Sequence, residues 1–467
     1  MLPPHADQIL TVAQMRAAED ALIGAGTSVE ALMDTAGRGA ADWVWRVAGR
    51  HRVGVLCGPG NNGGDGYVIA QALLERGGDA VVIAGYEPQT AAARNARSLF
   101  RGEVLERGAT AKGEVFVDCL FGSGLSRPLR AEDGALISAL AGGHRHAIAV
   151  DLPSGVESDH GQMLAEGLPR FDLTLALGAW KFAHVLMPAA QIMGERWRVD
   201  IGVAEVSGAA RLIARPHLHA PARGAHKYTR GLVAVVGGAM PGAAVMAATA
   251  AQGAGAGYVK LLAQQEGPVP SDLVLSTGPL PDALGDGRIG VVLVGPGLGR
   301  DATARERLAA ALSSAAPAVV DADALVLLSP SHTAGRPAPL VATPHEGELV
   351  ALERAFDCSG TGSKVERVKA LAKAAGMVVV GKGPDTVVAA ADGRTACASA
   401  ASSWLSTAGT GDVLAGVIAS RLATGEEPFE AAVQGVWLHG EAARLCPPAF
   451  TAVQLARAVP QALAACL

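Results

Sequence analysis

The sequence has no apolar run long enough to cross a bilayer, because a glycine or a charged residue interrupts each candidate stretch. The segment Met1–Leu10 also lacks a basic region followed by an apolar core, so we expect no secretory signal in it. These two absences predict a cytoplasmic protein that has no membrane partner.

Clustered basic residues and paired cysteines are also missing. The 39 Lys and Arg residues are scattered along a chain of formal net charge -5, so we do not expect nucleic acid as a main partner. The six cysteines form no Cys-x-x-Cys pair and no Cys/His cluster with zinc-ligand spacing. We therefore predict buried, reduced thiols, as in a cytosolic protein.

Aromatic residues make up only 4% of the chain, although half of its residues are hydrophobic and Gly and Ala are abundant. This mixture suits closely packed layers of helices on sheets, and it excludes a disordered chain, which would be poorer in apolar residues. At 467 residues the chain is too long for one ordinary core, so two or three domains are expected.

Capping-box patterns at residues 11–14 and 27–30 predict two opening helices. Short apolar runs then alternate with amphipathic stretches, which is typical of a parallel sheet covered by helices on both faces. The aperiodic segment Ile213–Thr229 is predicted to link two such α/β domains, residues 1–215 and 222–467. The predicted strands are Val53–Cys57, Ala80–Ala84, Val115–Leu120, Ala147–Asp151, Leu173–Leu177, Leu232–Val236, Tyr258–Leu262, Val291–Val294, Ala318–Val320, Leu340–Ala342 and Met377–Val380.

The sharpest motif is CGPGNNGGDG at residues 57–66, between a predicted strand and a helix predicted over Tyr67–Glu75. Five glycines would let the backbone adopt positive φ and approach a ligand. The N-terminus of the following helix would favour an anion. We interpret the motif as a phosphate cradle, since a merely tight turn needs only one or two glycines.

Polar residues also follow two other predicted strands, at Asp118 and at Asp151. Because ligands of open α/β sheets bind beyond the carboxyl ends of the strands, these loops are expected to converge with residues 61–65. Oxygens of Asn62, Asp118 and Ser154 would suit a hard cation. Each aspartate could instead simply cap the next helix.

In the second half, residues 237–244 and 295–299 follow predicted strands, but each alone could be a plain turn. The segment TAGTGD at 407–412 is more specific, because small residues at a helix start leave N–H groups free to hold a phosphoryl group. Asp412 is placed to take a proton from an attacking hydroxyl, or else it only caps the helix.

Two more segments follow predicted strands in this half. Residues 382–386 (KGPDT) could hold nucleotide phosphates, and residues 343–348 (TPHEGE) contain His345. An isolated histidine is more often structural, but a strand end beside a helix start favours a ligand or proton-shuttle role for His345.

The motifs GPGNNGGDG, VDCLFGSGL and DLPSGV, in this order and spacing, resemble the epimerase domain of NAD(P)H-hydrate repair enzymes. The resemblance implies a potassium site at Asn62, Asp118 and Ser154, proton transfer by Asp151, and a second catalytic position at Lys181. It implies hydrate binding by Asn61, Asn62, Gly63, Gly64, Asp65, Gly122, Ser123, Gly124, Leu125, Ser126, Arg127, Pro128 and Asp151. Ser126 and then Arg127 follow the Gly-x-Gly-Leu stretch, where members often have Lys or Arg first.

The later segments resemble the ribokinase-like superfamily, and more narrowly the ADP-dependent hydrate dehydratase that is fused to the epimerase in many bacteria. DADAL at 321–325, residues 343–348 and the Gly-Thr-Gly-Asp loop match in order. The resemblance implies catalytic roles for His345 and Asp412. It implies hydrate contacts at Ala243, Gly297, His345 and Asp412, and nucleotide contacts at Lys382, Gly383, Pro384, Asp385, Thr386 and Gly411.

Together the resemblances imply two three-layer αβα domains, a Rossmann-like one followed by a ribokinase-like one, in a bifunctional metabolite repair enzyme. The first domain would interconvert the R and S forms of NAD(P)H hydrate, with K+ bound. The second would dehydrate the S form to NAD(P)H at the expense of ADP, giving AMP and phosphate, with Mg2+ bound. The implied partners are NADHX, NADPHX and ADP, and a homo-oligomer is expected.

Two alternatives belong to other functional classes. The protein could be a ribokinase-like small-molecule kinase whose N-terminal ligand-binding domain is regulatory, and which releases a stable phosphorylated product. It could also be a non-enzymatic, cofactor-sensing module. Asp118, Asp151 and Lys181 around the predicted phosphate cradle argue against the second alternative.

Overall fold

The computed structural model describes residues 7–264 and 269–467, and the contacts divide the chain into two units at Ala210 and Arg211. Each unit combines helices with a largely parallel sheet, which confirms the predicted α/β class. The predicted linker Ile213–Thr229 lies wholly within the second unit and contains no helix or strand.

The N-terminal unit has, within its described residues, a seven-stranded sheet in the order β4-β3-β2-β5-β6-β7-β8. All neighbouring strands in it are parallel. The strand order reverses between β2 and β5, so the loops after these two strands border the crevice where ligands of such sheets bind. The elements are β1 (Gln8–Ile9), α1 (Val12–Gly24), α2 (Val29–Ala48), β2 (Arg52–Cys57), α3 (Asn61–Glu75), β3 (Asp79–Ala84), α4 (Ala91–Leu99), β4 (Glu103–Leu105), β5 (Gly113–Cys119), α5 (Ala131–Gly143), β6 (His144–Val150), β7 (Leu173–Leu177) and β8 (Glu195–Val199).

The two opening helices begin at side-chain caps. Thr11 caps α1 in a capping box with Gln14, as the sequence pattern predicts. The second helix differs by one residue from the prediction, because Ser28 rather than Thr27 accepts the free N–H group, that of Ala31. Both helices are thereby fixed at their N-termini.

The glycine motif does not have the conformation that the sequence predicts. Helix α3 begins at Asn61 rather than at Tyr67, and none of the five glycines of residues 57–66 has positive φ. A Cβ on Gly58 would lie 1.7 Å from the Leu120 carbonyl oxygen, and one on Gly63 would lie 2.0 Å from that of Gly58. The glycines therefore let α3 and its loop lie directly against the neighbouring backbone, and they do not supply left-handed turns.

The sheet of the C-terminal unit runs, among the described residues, in the order β9-β18-β17-β16-β15-β14-β13-β10-β11-β12. Its pairings are parallel except for β16-β17 and β17-β18. The elements are β9 (Ala210–Leu212), β10 (Leu232–Val236), α6 (Pro241–Gly253), β11 (Tyr258–Leu262), β12 (Val274–Ser276), α7 (Leu280–Leu284), β13 (Val291–Val294), α8 (Ala302–Ser313), β14 (Ala318–Val320), α9 (Asp323–Leu327), α10 (Pro330–Thr333), β15 (Leu340–Ala342), α11 (Glu346–Ala355), α12 (Lys364–Ala375), β16 (Val378–Gly381), β17 (Val387–Ala389), β18 (Thr395–Cys397), α13 (Thr410–Ala423), α14 (Pro428–Leu445) and α15 (Ala452–Ala464).

Helix α13 is buried along nearly its whole length, because apolar and small residues surround it on every side. A Cβ on Gly416 would lie 2.1 Å from the carbonyl oxygen of Ala247 in α6, so the two helix backbones touch. Helix α6 follows β10 after a short loop, so it starts at the carboxyl edge of the sheet. This contact fixes α13 against α6.

Within the described residues, no helix combines the length and the apolar character that crossing a membrane requires. All six cysteines are free thiols. Four of them are buried and two are partly buried, namely Cys57, Cys119, Cys397 and Cys466, and Cys358 and Cys446.

We predict that Gly63→Ala destabilises the protein and that Gly60→Ala does not. A methyl group at Gly63 would overlap the Gly58 backbone, whereas nothing lies within 4 Å of a Cβ at Gly60. The expected loss is about 1–3 kcal/mol, as for other overpacked interiors. The measurement is the midpoint of urea unfolding, and equal midpoints for the two variants would contradict the packing explanation.

Candidate active sites

Asp151 lies directly after β6, and its backbone has φ +66°, which is uncommon for a residue with a side chain. Its carboxylate accepts hydrogen bonds from two sides. Lys181 Nζ donates to one oxygen at 2.5 Å, and the Ser123 N–H donates to the other at 2.9 Å. The loop after β5 and the segment after β7 are thus both bonded to this one carboxylate.

A buried histidine holds this ion pair in place. The Nδ1 atom of His184 accepts the backbone N–H of Lys181 at 2.9 Å, so the ring proton is on Nε2, which donates to the Asp151 carbonyl at 2.8 Å. Burial and the nearby Lys181 charge lower the pKa of His184 to about 4. The imidazole is therefore neutral at pH 7, and Lys181 also donates to the Leu177 carbonyl at 2.6 Å.

The pKa values of two carboxyl groups at this site, those of Asp151 and Asp65, are shifted in opposite directions. Burial alone would raise the pKa of Asp151, but the Lys181 ammonium and its hydrogen bond lower it below the ordinary value. Burial raises the pKa of Asp65 well above its ordinary value, and the charges of Asp151 and Glu19 add to the effect. Neighbouring carboxyl groups with separated pKa values are typical of acid–base sites.

Helix α1 contributes two charged residues that the sequence analysis did not assign to the site. Glu19 interacts electrostatically with Lys181 and Asp151, and burial raises its pKa. The Arg16 guanidinium Nη2 lies 3.8 Å from the position of a Cβ on Gly124. The spacing of three residues puts both side chains on one face of α1, but nothing in the sequence indicated which way that face points.

The loop after β5, which the sequence predicts to bind the hydrate, contains both buried and exposed residues. Leu125 is buried and closes the turn by donating its N–H to the Gly122 carbonyl. Three exposed residues follow it, Ser126, Arg127 and Pro128. The exposed stretch is available to a ligand, while Leu125 anchors the loop.

The three predicted potassium ligands lie around the start of this loop. Ser154 donates its hydroxyl to Asp118 Oδ1 at 2.7 Å and its N–H to Oδ2 at 2.9 Å. Neither amide atom of Asn62 has a hydrogen-bond partner among the described residues, although both atoms are buried. Asn62 Cγ lies 3.2 Å from the position of a Cβ on Gly122, next to Phe121, whose N–H donates to Ser154 Oγ.

Neither Asp118 nor Asp151 caps a helix, so the capping alternative from the sequence analysis does not occur. The N-cap residue of α5, the helix that follows Asp118, is Arg130. Burial raises the pKa of Asp118 to about 6, although hydrogen bonds from Ser154 and Leu120 oppose the rise. A nearby cation would lower the electrostatic cost of ionising this carboxyl group.

In the C-terminal unit, the loops after β10 and β13 are hydrogen-bonded to each other. The Met240 N–H donates to the Gly297 carbonyl at 2.9 Å. Gly297 has φ +64°, and a Cβ there would lie 2.1 Å from the Met240 carbonyl oxygen. Helix α6 starts beside this contact without a side-chain cap, and the half-buried Ala243 lies in its first turn.

The first turn of α13 is also open to a ligand. Its N-cap residue is Gly409, at φ +91°, and no side chain caps the helix, so Asp412 is not a cap. The leading N–H groups of a helix have no partner within it and favour an anion. His439 contacts the Thr410 carbonyl at 2.9 Å, and burial lowers the pKa of this histidine to about 4.

A buried ion pair lies beneath this turn. Lys382 Nζ is 2.7 Å from Asp321 Oδ1 and 3.7 Å from Glu348 Oε2. It is also 3.3 Å from the position of a Cβ on Gly411. Thr343 donates its hydroxyl to Asp321 Oδ1 at 2.7 Å.

Asp412 is half-buried next to this ion pair. Burial raises its pKa to about 7, and the charge of Asp321 adds to the rise, while Lys382 opposes it. A carboxyl group with this proton affinity can exchange a proton near neutral pH, as a general base must.

His345 has a structural role at the start of α11, and its side chain is largely exposed. Its Nδ1 accepts the N–H groups of Gly347 and Glu348 at 3.0 and 3.3 Å, and the Glu348 carboxylate accepts the His345 N–H at 2.8 Å. This arrangement caps α11 and leaves the ring proton on Nε2. Its Nε2 lies 3.4 Å from Glu348 Oε1, and the side chain is 62% exposed, so the ring is also accessible to a ligand.

The segment at 382–386 is a closed turn. Thr386 donates its hydroxyl to the Gly383 carbonyl at 2.8 Å, and Lys364 Nζ donates to Asp385 Oδ1 at 2.6 Å and to the Lys382 carbonyl at 3.1 Å. Pro384 lies at its exposed tip. Lys364 was not singled out in the sequence, because no motif links the first residue of α12 to this turn.

Asp323 bonds the loop after β14 to the loop after β13. It accepts the Gly299 N–H at 3.0 Å and Arg300 Nε at 2.8 Å. Ala322 between the two aspartates has φ +48°, a strained backbone that points Asp321 and Asp323 to different partners. Within residues 7–264 and 269–467, no group of three or more His, Cys, Asp or Glu side chains is arranged to hold a metal.

The C-terminal unit therefore has the features of an α/β enzyme domain with an anion-binding helix start, beside which lie a buried lysine and a carboxyl group of raised pKa. Two family models match the chain, "YjeF-related protein N-terminus" over residues 29–183 and "NAD(P)H-hydrate dehydratase" over residues 233–463.

Curated relatives named bifunctional NAD(P)H-hydrate repair enzyme Nnr match over nearly the whole chain. The protein of Thermosynechococcus vestitus is 31% identical, and the match covers 95% of this chain and 94% of that protein. The Salinibacter ruber protein is 35% identical over 93% and 91%, and the Mycobacterium tuberculosis protein is 33% identical over 90% of each. The chain therefore belongs to the family of bifunctional NAD(P)H-hydrate repair enzymes.

Solved structures are similar to about half of the chain. An ADP/ATP-dependent NAD(P)H-hydrate dehydratase from Bacillus subtilis, co-crystallised with ATP and Mg2+, is 25% identical with a TM-score of 0.47, covering 54% of this chain and 95% of its own. A ribokinase-like superfamily protein from Enterococcus faecalis is 24% identical with a TM-score of 0.48, covering 53% of this chain and 91% of its own.

We predict that Asp412→Asn stabilises the protein at pH 8 but not at pH 4. Folding raises the Asp412 pKa from 3.8 to about 7. The native state therefore binds the proton more tightly than the unfolded state, and stability falls as the pH rises through this window. The gain at pH 8 is expected to be on the order of 2 kcal/mol after allowance for screening.

Urea unfolding at the two pH values measures this difference, with the exposed Asp282→Asn as control. A gain of the same size at pH 4 and pH 8 would refute the titration of Asp412 as its cause.

Proposed function

We propose that the two activities of the family are divided between the two units. The N-terminal unit interconverts the R and S forms of NADHX and NADPHX, and the C-terminal unit dehydrates the S form at the expense of ADP, giving AMP and phosphate. The observation that carries the second assignment is Asp412, whose pKa is near 7, beside Lys382 at an uncapped helix start.

Dehydration has to overcome the poor leaving ability of hydroxide. Asp412 takes the proton of the hydrate hydroxyl while the oxygen of that hydroxyl attacks the β-phosphorus of ADP. The bond between that phosphorus and the AMP oxygen breaks. The phosphate group then leaves with the electron pair of its carbon–oxygen bond, water accepts a proton from the adjacent carbon, and the electron pair of that C–H bond restores the double bond of NAD(P)H.

We assign the binding groups to the start of α13 and to the loops after β10, β13, β15 and β16. The N–H groups at the start of α13 and the Lys382 ammonium hold the phosphoryl group as charge moves through it. His345 donates its Nε2–H to the hydrate, which also contacts Ala243 and Gly297. The nucleotide binds to Gly411 and to the turn Lys382, Gly383, Pro384, Asp385 and Thr386.

Mg2+ bound with the nucleotide supplies positive charge to its phosphates. Because no acidic or histidine cluster of the described residues is arranged to hold a metal, phosphate oxygens and water are its proposed main ligands.

In the N-terminal unit we assign proton transfer to Asp151, which the buried Lys181 keeps ionised. The hydrate lies across the start of α3 and the loop after β5, as a ligand does at the switch point of such a sheet. The residues proposed to contact it are Asn61, Asn62, Gly63, Gly64, Asp65, Gly122, Ser123, Gly124, Leu125, Ser126, Arg127, Pro128 and Asp151.

A K+ ion fits the residues next to this site. The two buried amide atoms of Asn62 have no hydrogen-bond partner among the described residues, and burial raises the pKa of Asp118, so the Asn62 amide oxygen and the Asp118 carboxylate would both gain from a bound cation. Amide, hydroxyl and carboxylate oxygens of Asn62, Ser154 and Asp118 are hard ligands that suit it. When bound, the ion supplies positive charge next to the loop after β5.

We predict that the protein, given mixed hydrate and ADP, restores the near-ultraviolet absorbance of NADH in full. Asp412→Asn is expected to lower this recovery by at least about 100-fold, the usual contribution of a general base, and to leave epimer exchange intact. Asp151→Asn is expected to stop recovery once the S form is used up.

Each failure has a distinct meaning in this assay. Recovery by the unaltered protein that stops at the S fraction refutes the epimerase assignment, and no recovery refutes both assignments. Accumulation of a stable phosphorylated product with ATP would favour the kinase alternative.

We predict that KCl raises the thermal midpoint of the protein above its value in tetramethylammonium chloride at equal ionic strength, because an ion that binds only the native state stabilises it. Asp118→Asn removes a proposed ligand and should abolish the difference. The exposed Asp34→Asn is the control and should keep it. The same difference in Asp118→Asn would refute the site.

A further inference from the structure

The ion pair of Asp321 and Lys382 restricts what this lysine can reach. Lys382 comes from a segment that the sequence predicts to bind nucleotide phosphates, yet its side chain turns inward and is only 17% exposed. Its ammonium is held by Asp321 at 2.7 Å, with Glu348 at 3.7 Å. The ammonium therefore lies below the start of α13 and does not extend over the exposed turn.

Asp321 is itself fixed and shielded. Its side chain is 1% exposed, and its Oδ1 accepts the Thr343 hydroxyl at 2.7 Å. Its backbone N–H donates to the Val294 carbonyl at 3.1 Å, and the strained Ala322 follows it. A residue so enclosed cannot touch the substrate, and it can act only through Lys382 and through its charge.

The lysine is aimed at the reacting groups. Its Nζ lies 3.3 Å from the position of a Cβ on Gly411, and Asp321 Oδ2 lies 4.0 Å from the same point. Gly411 adjoins Asp412, and a Cβ at 411 would occupy the space beside the ammonium. Glycine at this position therefore leaves the lysine open toward a group bound at the helix start.

We propose that Asp321 is a positioning residue of the dehydratase site, which fixes the Lys382 ammonium below the first turn of α13 so that it stabilises the phosphoryl group in transfer. The inference rests on the proposed function of this unit and extends it. Lys382 then contributes to the chemical step more than to holding ADP.

The charge of Asp321 also acts on the base. Replacing Asp321 by Asn removes the largest electrostatic contribution that raises the Asp412 pKa, so the acidic limb of the pH profile should move to lower pH. The charged side chains that act on Asp412 from the surrounding elements are Asp321 after β14, Asp323 in α9, Glu348 in α11 and Lys382 after β16. His439 in α14, which is held neutral, contacts the Thr410 carbonyl at the start of the same helix.

The test uses the full-length protein with Asp321→Asn, S hydrate and ADP. We expect kcat to fall by about 100-fold, the cost of a misplaced catalytic group, while the Kd for ADP, measured by calorimetry, changes by less than about threefold. The acidic limb of kcat/KM for the hydrate should shift to lower pH, which a merely structural role would not cause.

Two further variants keep the test decisive. Thr343→Val keeps the buried shape and removes the hydroxyl that orients Asp321. It should lower kcat by about tenfold with the same ADP affinity, and it decides the matter if Asp321→Asn does not fold. Glu306→Gln, an exposed carboxylate of α8, is the matched control and should match the unaltered protein.

The outcomes separate the two proposals. An unchanged kcat in Asp321→Asn and Thr343→Val, together with loss of recovery in Asp412→Asn, overturns the positioning role alone. Loss of ADP affinity equal to the loss of kcat also overturns it, because Lys382 would then act in holding ADP and not in the chemical step. Recovery that persists in Asp412→Asn overturns the proposed function itself.

Discussion

Carboxyl groups buried at the carboxyl edges of the two sheets carry a desolvation cost that the surrounding structure has to offset. A buried lysine offsets this cost at each of two aspartates: Lys181 pairs with Asp151, and Lys382 pairs with Asp321. Burial and neighbouring acidic groups dominate at Asp65 and Asp412, so their pKa values are raised. Each site therefore combines a carboxylate paired with a buried lysine and a carboxyl group whose pKa is raised.

The parallel sheets bring about this arrangement. Every parallel strand ends at the same edge, so loops that are far apart in sequence meet there with their backbone N–H and polar side chains. In the N-terminal unit the loops after β2, β5 and β6 meet around Asp151 and Asn62. In the C-terminal unit the loops after β10 and β13 bond to each other, and those after β14, β15 and β16 meet around Lys382.

Much of the fold could be predicted from the sequence, because valine-rich runs flanked by glycine, proline or aspartate mark buried parallel strands. Leu173–Leu177 and Leu232–Val236 are strands with the predicted bounds. The short antiparallel strands β17 and β18 were missed, because no helix separates them from β16 or from each other, so the alternation of strands and helices that marks the parallel strands is absent there. The prediction of positive φ angles in the glycine motif was also wrong, because a segment rich in glycine is compatible with close packing of backbones as well as with left-handed turns.

The sites could be predicted less completely. Their motifs lie on loops that meet at the carboxyl edges of the sheets, but the positions of Glu19 and Arg16 beside them depend on how α1 lies on the sheet, which no local pattern encodes. The roles of Asp321 and Lys364 likewise depend on partners tens of residues away.

Gly416 shows how far the active region extends beyond the groups that touch a ligand. Its missing side chain lets the backbones of α13 and α6 meet, and it lies five residues beyond Gly411, about 7 Å along the helix axis. A larger residue there would push α13 away from α6 and displace its first turn, where an anion is proposed to bind. In the proposed site, the distance from the first turn of α13 to Lys382, which comes from the loop after β16, thus depends on a residue that belongs to neither.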